Sequence, residues 1–240
     1  MTPFPALTRP AHTYLAAARV ARAIRGLPAG LSFDDALAFT QQPPWGAGDS
    51  ISANQKRDEI IWLLELLRER PPRTVLEIGM DRGGTLFLWT RVAAPDALLV
   101  SVDLKQIHGR LGRRSPFALV RHSFARDEQR VELLGGVDSH SERTRDLVAG
   151  LLGGREVDFL FIDGDHRYES VKRDFELYSP LVREDGLVAF HDVSPATTPD
   201  TEGTARFWQE LKASGQTTEH LAPGEPGYGI GVYRVGSRLE

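Results

Sequence analysis

The stretch Thr74-Val-Leu-Glu-Ile-Gly79-Met-Asp-Arg-Gly83-Gly84-Thr85 decides the fold class of this 240-residue chain. A short apolar run ends in a glycine, and two more glycines stand before a helical pattern from Thr85 to Val92. A strand that turns through glycine into a helix is half of a strand–helix–strand crossover, the unit from which parallel sheets are built. Glycine at such a turn tolerates a tight bend and lets a ligand approach the backbone at the helix N-terminus.

The same alternation continues downstream. Leu98–Asp103, Val131–Leu134, Val157–Asp163, Gly186–Phe190 and Tyr228–Arg234 read as strands. Ser141–Leu152 and Thr204–Leu211 read as helices, as does a segment with Tyr168, Val171, Phe175 and Tyr178 on one face. Upstream, Ser52 stands three before Gln55, a capping-box spacing that predicts a helix to about Glu69, where Pro71–Pro72 ends it. Its buried stripe is Ile60, Ile61, Leu63, Leu64 and Leu67. The pattern predicts an α/β fold, a doubly wound and mostly parallel sheet with helices on both faces.

Composition bounds the rest. The chain has 41% hydrophobic and 26% charged residues, enough for a sizeable core without staples. With no cysteine, disulfide frameworks, Cys-based zinc sites, iron–sulfur clusters and cysteine nucleophiles are excluded. Lys and Arg number 29 against 33 Asp and Glu, a net charge of −4 that offers no general field for nucleic acid. Every long apolar run is interrupted by Arg, Asp or Glu, so no membrane association is expected and the chain reads as cytoplasmic. Residues 1–31 carry Arg9, Arg19, Arg22 and Arg25 and no acid. They read as an amphipathic helix, about Tyr14 to Arg25, in an N-terminal helical cap over residues 1–51; an organellar transit peptide is the alternative. Residues 52–240 form the main domain in this reading.

Ligands of open parallel sheets bind beyond the carboxyl ends of the strands, at the switch point. Gly79, Asp103, Asp138, Asp163, His191 and Asp192 all stand there. Asp103 follows a strand and the glycine turn, where an acid can take both hydroxyls of a ribose. A dinucleotide fingerprint requires G-x-G-x-x-G, yet Asp81 holds its second glycine position and would repel a pyrophosphate. Asp163, His191 and Asp192 end neighbouring strands and can converge on a divalent cation, leaving positions open for substrate oxygen.

These residues resemble the class I S-adenosylmethionine-dependent methyltransferases over about Gln55 to Val235. Glu77-x-Gly79 is similar to their first motif, Asp103 to their ribose-binding acid, and Leu134-Gly-Gly-Val-Asp138-Ser139-His140 to the loop beside the adenine. The shifted glycines, Gly79-x-x-x-Gly83-Gly84, resemble the branch of CmcI-like (cephalosporin-hydroxylase-type) and macrolide-sugar O-methyltransferases. The resemblance implies a seven-stranded, Rossmann-like methyltransferase fold that binds S-adenosylmethionine. Glu77, Gly79, Gly83, Gly84, Asp103, Asp138 and Ser139 would serve the cofactor, with the three glycines near its methionine part. It implies a small-molecule acceptor, a sugar or natural product bearing a hydroxyl, beneath the N-terminal helices, in a chain that can form a homo-oligomer. Asp163 and Asp192 match metal-binding acids of that group, and His191 stands where a carboxylate is usual. A cation (Mg²⁺, Mn²⁺ or another), or none with Asp163 orienting the cofactor amine, are both open at this point. His166 matches the general base of the sugar O-methyltransferases; helix capping by Asp165 and His166 is its alternative. A nucleotide-dependent oxidoreductase and a non-catalytic cofactor-binding subunit are the competing functions. His108, His122 and His220 read as loop residues and Trp45, Trp62, Trp89 and Trp208 as packing.

Overall fold

Side chains of a strand point alternately to its two faces, and here that alternation divides the core in two. In the computed structural model, which describes residues 9–41, 51–105, 115–214, 216–221, 224 and 226–236, Val75, Leu99, Val131, Phe159, Phe161 and Ala189 line one face of the sheet. Leu76, Ile78, Val100, Leu160, Ile162, Val188 and Phe190 line the other. Helices α1 (Arg9–Arg25), α2 (Phe33–Gln41), α3 (Arg57–Glu69), α4 (Gly84–Val92) and α5 (Pro116–His122) belong to the first face. Helices α6 (Glu142–Leu152), α7 (Tyr168–Tyr178) and α8 (Glu202–Ser214) cover the second.

The strands are β1 (Thr74–Ile78), β2 (Leu98–Asp103), β3 (Arg130–Gly135), β4 (Val157–Ile162), β5 (Val182–His191), β6 (Gln216–His220) and β7 (Ile230–Arg234). They form one seven-stranded sheet in the order β3-β2-β1-β4-β5-β7-β6. β1 to β5 are parallel, and β7 enters antiparallel between β5 and β6. The chain winds outward from β1 to β3, then returns to β4 on the other side of β1. That reversal places the switch point between β1 and β4, where Ile78 is in register with Ile162.

Four local features depart from the sequence reading. α3 starts at Arg57, with the Lys56 amide donating to Glu59 Oε1 at 2.7 Å, while Ile51 to Gln55 is non-helical. The Gly84 amide donates to the Ser52 carbonyl at 3.1 Å, which holds that stretch against α4 and away from helical geometry. α5 was not expected; Ser115 caps it by accepting from the Ala118 amide at 3.1 Å, and Pro116 presets its first turn. β6 was also unforeseen, because Gln-Thr-Thr-Glu-His at a sheet edge shows no apolar alternation. β5 begins at Val182, earlier than Gly186: Val182 pairs with Val157 and Leu187 with Phe159, so the polar residues between them form an irregularity on β5. His122 therefore ends α5, and His220 lies on β6 with its ring stacked on Trp62 at 5.7 Å. Trp89 and Trp208 are buried in the core. Trp45 and His108 lie outside the described residues.

α1 packs against α5, and α2 against α3 and α4, where Phe39 meets Phe87 at 5.2 Å. These helices thicken the layer behind the glycine turn. Among the described residues, the stretch after them reaches the rim, where Gln55 contacts Asp163.

Gly84 is conformationally ordinary but sterically committed: a Cβ there would lie 2.1 Å from the Ser52 carbonyl carbon. Gly84→Ala is expected to lower stability by about 1–3 kcal/mol, the usual cost of overpacking. Gly150→Ala, on α6 with open space around its Cβ, should raise it by about 0.5–1 kcal/mol through helix propensity. Urea denaturation of both variants checks this, and equal effects would remove the steric account.

Candidate active site

Gly79 leaves β1 at φ 90°, and its amide donates to the Val102 carbonyl at 2.9 Å. A Cβ at this position would lie 2.1 Å from the Asp163 carbonyl oxygen, so the turns after β1 and β4 are in backbone contact. Gly83 adopts φ 79° at the start of α4, and the space beside it is filled by Arg121 and Phe124. A Cβ at Gly83 or Gly84 would thus meet protein, Arg121 and Phe124 at one and the Ser52 backbone at the other. Asp103 Oδ2 accepts from the amides of Met80 and Asp81 at 2.9 and 2.8 Å, and Oδ1 from the Lys105 amide at 2.6 Å. That carboxylate fixes the glycine turn itself. Asp81, at φ 44°, is ion-paired with Lys105.

Glu77 requires a correction. Odd positions of β1 face α4, so its side chain enters the core beneath the rim. It is fully buried. Oε1 accepts from Thr85 Oγ1 at 2.6 Å and Trp89 Nε1 at 2.9 Å, and Oε2 from Ser101 Oγ at 2.6 Å. Burial raises its carboxyl from the ordinary 4.5 to about 7, against the lowering effect of those three donors. Glu77 ties β1, β2 and α4 together and does not face the cofactor side of the rim.

The loop after β3 holds Asp138, Ser139 and His140. Asp138 Oδ1 accepts from the His140 amide at 3.0 Å, and the Tyr178 hydroxyl donates to the Ser139 carbonyl at 2.7 Å. The loop is joined to the β2 turn by the Gly136 amide, which donates to the Asp103 carbonyl at 2.9 Å. Asp103 and Asp138 therefore stand on adjacent parts of the rim.

The densest cluster lies beyond β4 and β5. Asp163 Oδ1 is 3.5 Å from His166 Nε2 and 3.4 Å from His191 Nδ1. Asp192 Oδ2 is 3.4 Å from His166 Nδ1, and its Oδ1 is 3.2 Å from His191 Nδ1. Gln55 Nε2 donates to Asp163 Oδ2 at 2.7 Å. Asp192 holds φ 63°, a left-handed conformation that a side chain adopts at some cost and that often marks a working site. Burial alone would push Asp163 up, but the charge of His191 and hydrogen bonds from both histidines hold its carboxyl well below the usual range. Burial pushes Asp192 up to about 6 against the pull of His191. The hydrogen bond to Asp163 raises His166, against its own burial. His191 is raised well above its ordinary value, since Asp163, Glu59 and Asp192 outweigh burial.

Sequence reasoning did not single out Glu59, and read Gln55 only as part of a capping box. Glu59 is fully buried on α3, with Oε1 at 2.9 Å from His191 Nε2 and Oε2 accepting from the Gly229 amide at 2.5 Å. The only sequence signal is a carboxylate one turn before Leu63 on the buried stripe of α3. One potential ligand atom each from Asp163, His191 and Asp192 lie within 4.8 Å of one another. The set of one imidazole and two carboxylates fits a divalent cation with open positions. Beside His166 opens a cavity of about 550 Å³, bounded by the β4–α7 turn and the start of α8. Asp165, Arg167, Tyr168, Asp200 and Arg206 line it, and no residue of α1 or α2 does. The expected cover by those helices is not seen among the described residues.

Residues 76–193, from β1 to just past β5, match the family model described as a methyltransferase domain. The O-methyltransferase TomG of Streptomyces achromogenes, involved in tomaymycin synthesis and solved with S-adenosylmethionine, is 20% identical with a TM-score of 0.53; 92% of this chain and 90% of that one are covered. An O-methyltransferase of Bacillus cereus, in complex with S-adenosylhomocysteine, is 17% identical with a TM-score of 0.53, over 95% and 93% of the two chains. The chain thus has the Rossmann-like fold of class I methyltransferases. Among curated proteins, the uncharacterized y4gI of Sinorhizobium fredii is 28% identical over 159 residues, 64% of this chain and 16% of that protein. The uncharacterized R132 of Acanthamoeba polyphaga mimivirus is 50% identical over 36 residues, 15% of this chain and 16% of that protein. The aligned segment thus spans 16% of the length of each of these curated relatives. No helix among the described residues is long and apolar enough to cross a membrane.

The buried Glu77 carboxyl makes a prediction with a definite sign. Its folded value of about 7 exceeds the ordinary 4.5, so between those limits the native state binds more protons than the unfolded one. Stability contributed by this group is present below the lower limit and declines as pH rises toward the upper. In Glu77→Gln that decline should vanish, with the amide oxygen accepting from Thr85 and Trp89 and the NH₂ donating to Ser101. Urea midpoints at pH 4.5 and 7.5 compare the two proteins. A pH dependence unchanged by the substitution would show that Glu77 titrates alike in the folded and unfolded states.

Proposed function

We propose that this chain is an S-adenosylmethionine-dependent O-methyltransferase, metal-assisted, acting on a hydroxyl of a polar small molecule such as a sugar or polyhydroxylated natural product. The observation that carries the reading is the convergence of Asp163, His166, His191 and Asp192 at the switch point, one backbone contact away from the Gly79 turn. The methyltransferase-domain match and the cofactors bound by the two structural neighbours support the cofactor. The names of those neighbours support oxygen as the acceptor atom, and the spacing from Glu77 to Trp89 supports the narrower sugar-modifying branch.

The cofactor would supply a methyl group on a sulfonium, and a cation at Asp163, His191 and Asp192 would supply Lewis acidity toward the acceptor oxygen. The residues of the chain do the rest. Asp103 and the loop through Asp138 and Ser139 offer acceptors for ribose and adenine. Gly79 keeps the turn bare of side chains. His166 stands in the wall of the cavity, its ring nitrogens 3.4–3.5 Å from Asp192 and Asp163. These separations are too long for tight charge-assisted hydrogen bonds, so the imidazole can turn toward a hydroxyl and take its proton. The two carboxylates then stabilise the imidazolium. Charged and hydrogen-bonding groups around the cavity, Asp165, Arg167, Asp200 and Arg206, suit a polyhydroxylated acceptor better than a flat apolar one.

Calorimetry should detect micromolar binding of S-adenosylmethionine and S-adenosylhomocysteine. Asp103→Ala should weaken it by about 1.5–3 kcal/mol, roughly ten- to hundredfold. Binding of NAD with no response to S-adenosylhomocysteine would overturn the reading in favour of an oxidoreductase.

His166→Ala is expected to depress turnover by about 10²–10⁴-fold, the range for removing general-base help, with cofactor affinity little changed. His166→Asn separates this from helix capping, since asparagine caps but does not take up a proton. Near-normal turnover in the Asn variant would assign His166 to structure.

A further inference from the structure

We propose that Glu59 is the outer carboxylate of a metal site whose inner nitrogen is Nδ1 of His191, and that this pairing makes the site prefer first-row transition metals to Mg²⁺. The inference rests on the metal-assisted reading above and adds to it a residue, a ligating atom and a selectivity.

Glu59 lies on α3, outside the sheet rim that supplies the other groups, and is fully buried. Backbone donors hold both its oxygens: the Lys56 amide on Oε1 at 2.7 Å and the Gly229 amide on Oε2 at 2.5 Å. A carboxylate so fixed can only accept. The ring nitrogen facing it, His191 Nε2 at 2.9 Å, must therefore carry a proton. A metal ion can then displace the proton only from the other nitrogen, Nδ1, which lies 3.4 and 3.2 Å from Asp163 Oδ1 and Asp192 Oδ1.

Those separations have a meaning of their own. Charge-assisted N–H···O⁻ contacts normally close to about 2.7–2.9 Å, and here neither does. Adjacent ligands on metal bonds of about 2.1 Å stand about 3.0 Å apart in a right-angled arrangement. The two nitrogen–oxygen separations, 3.4 and 3.2 Å, are thus nearer to the spacing of adjacent ligands than to that of a closed ion pair, and the three candidate ligand atoms lie within 4.8 Å of one another. Three carboxylates, Glu59, Asp163 and Asp192, surround one imidazole, which leaves negative charge for a divalent cation to balance.

The outer carboxylate also bears on which ion is held. A hydrogen bond from Nε2–H to an anion fixes the ring and raises the donor strength of the other nitrogen. Imidazole suits Mn²⁺, Fe²⁺ or Zn²⁺ better than Mg²⁺, which prefers oxygen and retained water. The contact between Glu59 and His191 thus strengthens the one ligand that separates these classes of metal.

The test uses the whole chain, stripped of metal, without acceptor. Mn²⁺, Zn²⁺ and Mg²⁺ are titrated by calorimetry into the wild type and into Glu59→Gln, with melting and S-adenosylhomocysteine binding as checks on folding. The wild type should bind Zn²⁺ and Mn²⁺ more tightly than Mg²⁺. Glu59→Gln should weaken the transition metals about ten- to hundredfold, the usual effect of losing such a partner, and narrow the margin over Mg²⁺. Wild-type binding that survives the substitution unchanged would overturn the role of Glu59 while leaving the metal site standing. A wild type that binds none of the three would remove the metal-assisted reading, and this inference with it. Should the variant fail to fold, long-range ¹H–¹⁵N spectra of the wild type with Zn²⁺ decide: a protonated Nε2 and a zinc-shifted Nδ1 are expected for His191. The reverse assignment, or no zinc-induced change at His191, would overturn the proposal.

Discussion

The carbonyl of Asp163 occupies the place where a side chain at residue 79 would be. A Cβ on Gly79 would sit 2.1 Å from that oxygen, and this single exclusion lets the turns after β1 and β4 lie against each other. The Asp163 amide in turn donates to the Ile78 carbonyl at 2.9 Å. Everything at the site follows from that contact. It sets the glycine turn beside the Asp163–His166 pair, and β5, in register with β4 through Ile162 and Phe190, delivers His191 and Asp192 next to them. The side of the sheet that resembles a cofactor cradle and the side that resembles a proton-transfer site are thus held together by backbone.

Much of this was legible in the sequence because it depends on short-range rules. Strand periodicity and glycine turns placed β1 to β5 and the residues at their ends, and the acid-rich rim followed from parallel topology. What failed was a matter of parity and distance. Glu77 sits on an odd position of β1, and the period of two that makes Val75 a core residue sends Glu77 the same way. A motif read by its letters misses that. Gly83 and Gly84 stand against Arg121 and the Ser52 backbone, which fill the space they leave. Neither contact has a local signature. Glu59 was hidden for the same reason, since its partners are 132 and 170 positions away along the chain. β6 was invisible because an edge strand need not be apolar.

Burying so much charge at one place is costly unless each group is answered by another. The cluster meets that demand by sharing. Asp163 is faced by Gln55, His166 and His191; His191 is faced by three carboxylates; Glu59 is faced by two backbone amides as well. Asp192 adds a left-handed backbone to the account. A protein gains nothing in stability from such an arrangement that an apolar packing would not supply more cheaply, which is why the cluster reads as chemistry.

The hydrogen bond from the Gly229 amide to Glu59 joins the turn before β7 to the third helix, across 170 positions of sequence. Contacts so distant along the chain close late, after nearer ones have repaid part of the loop entropy. The parallel centre, β1 to β4, can assemble from a continuous stretch of chain that ends well before residue 229. The carboxylate behind His191 cannot be locked until the closing hairpin arrives. In a chain emerging from the ribosome, the five parallel strands therefore precede the hairpin that completes both the sheet and the contact behind His191.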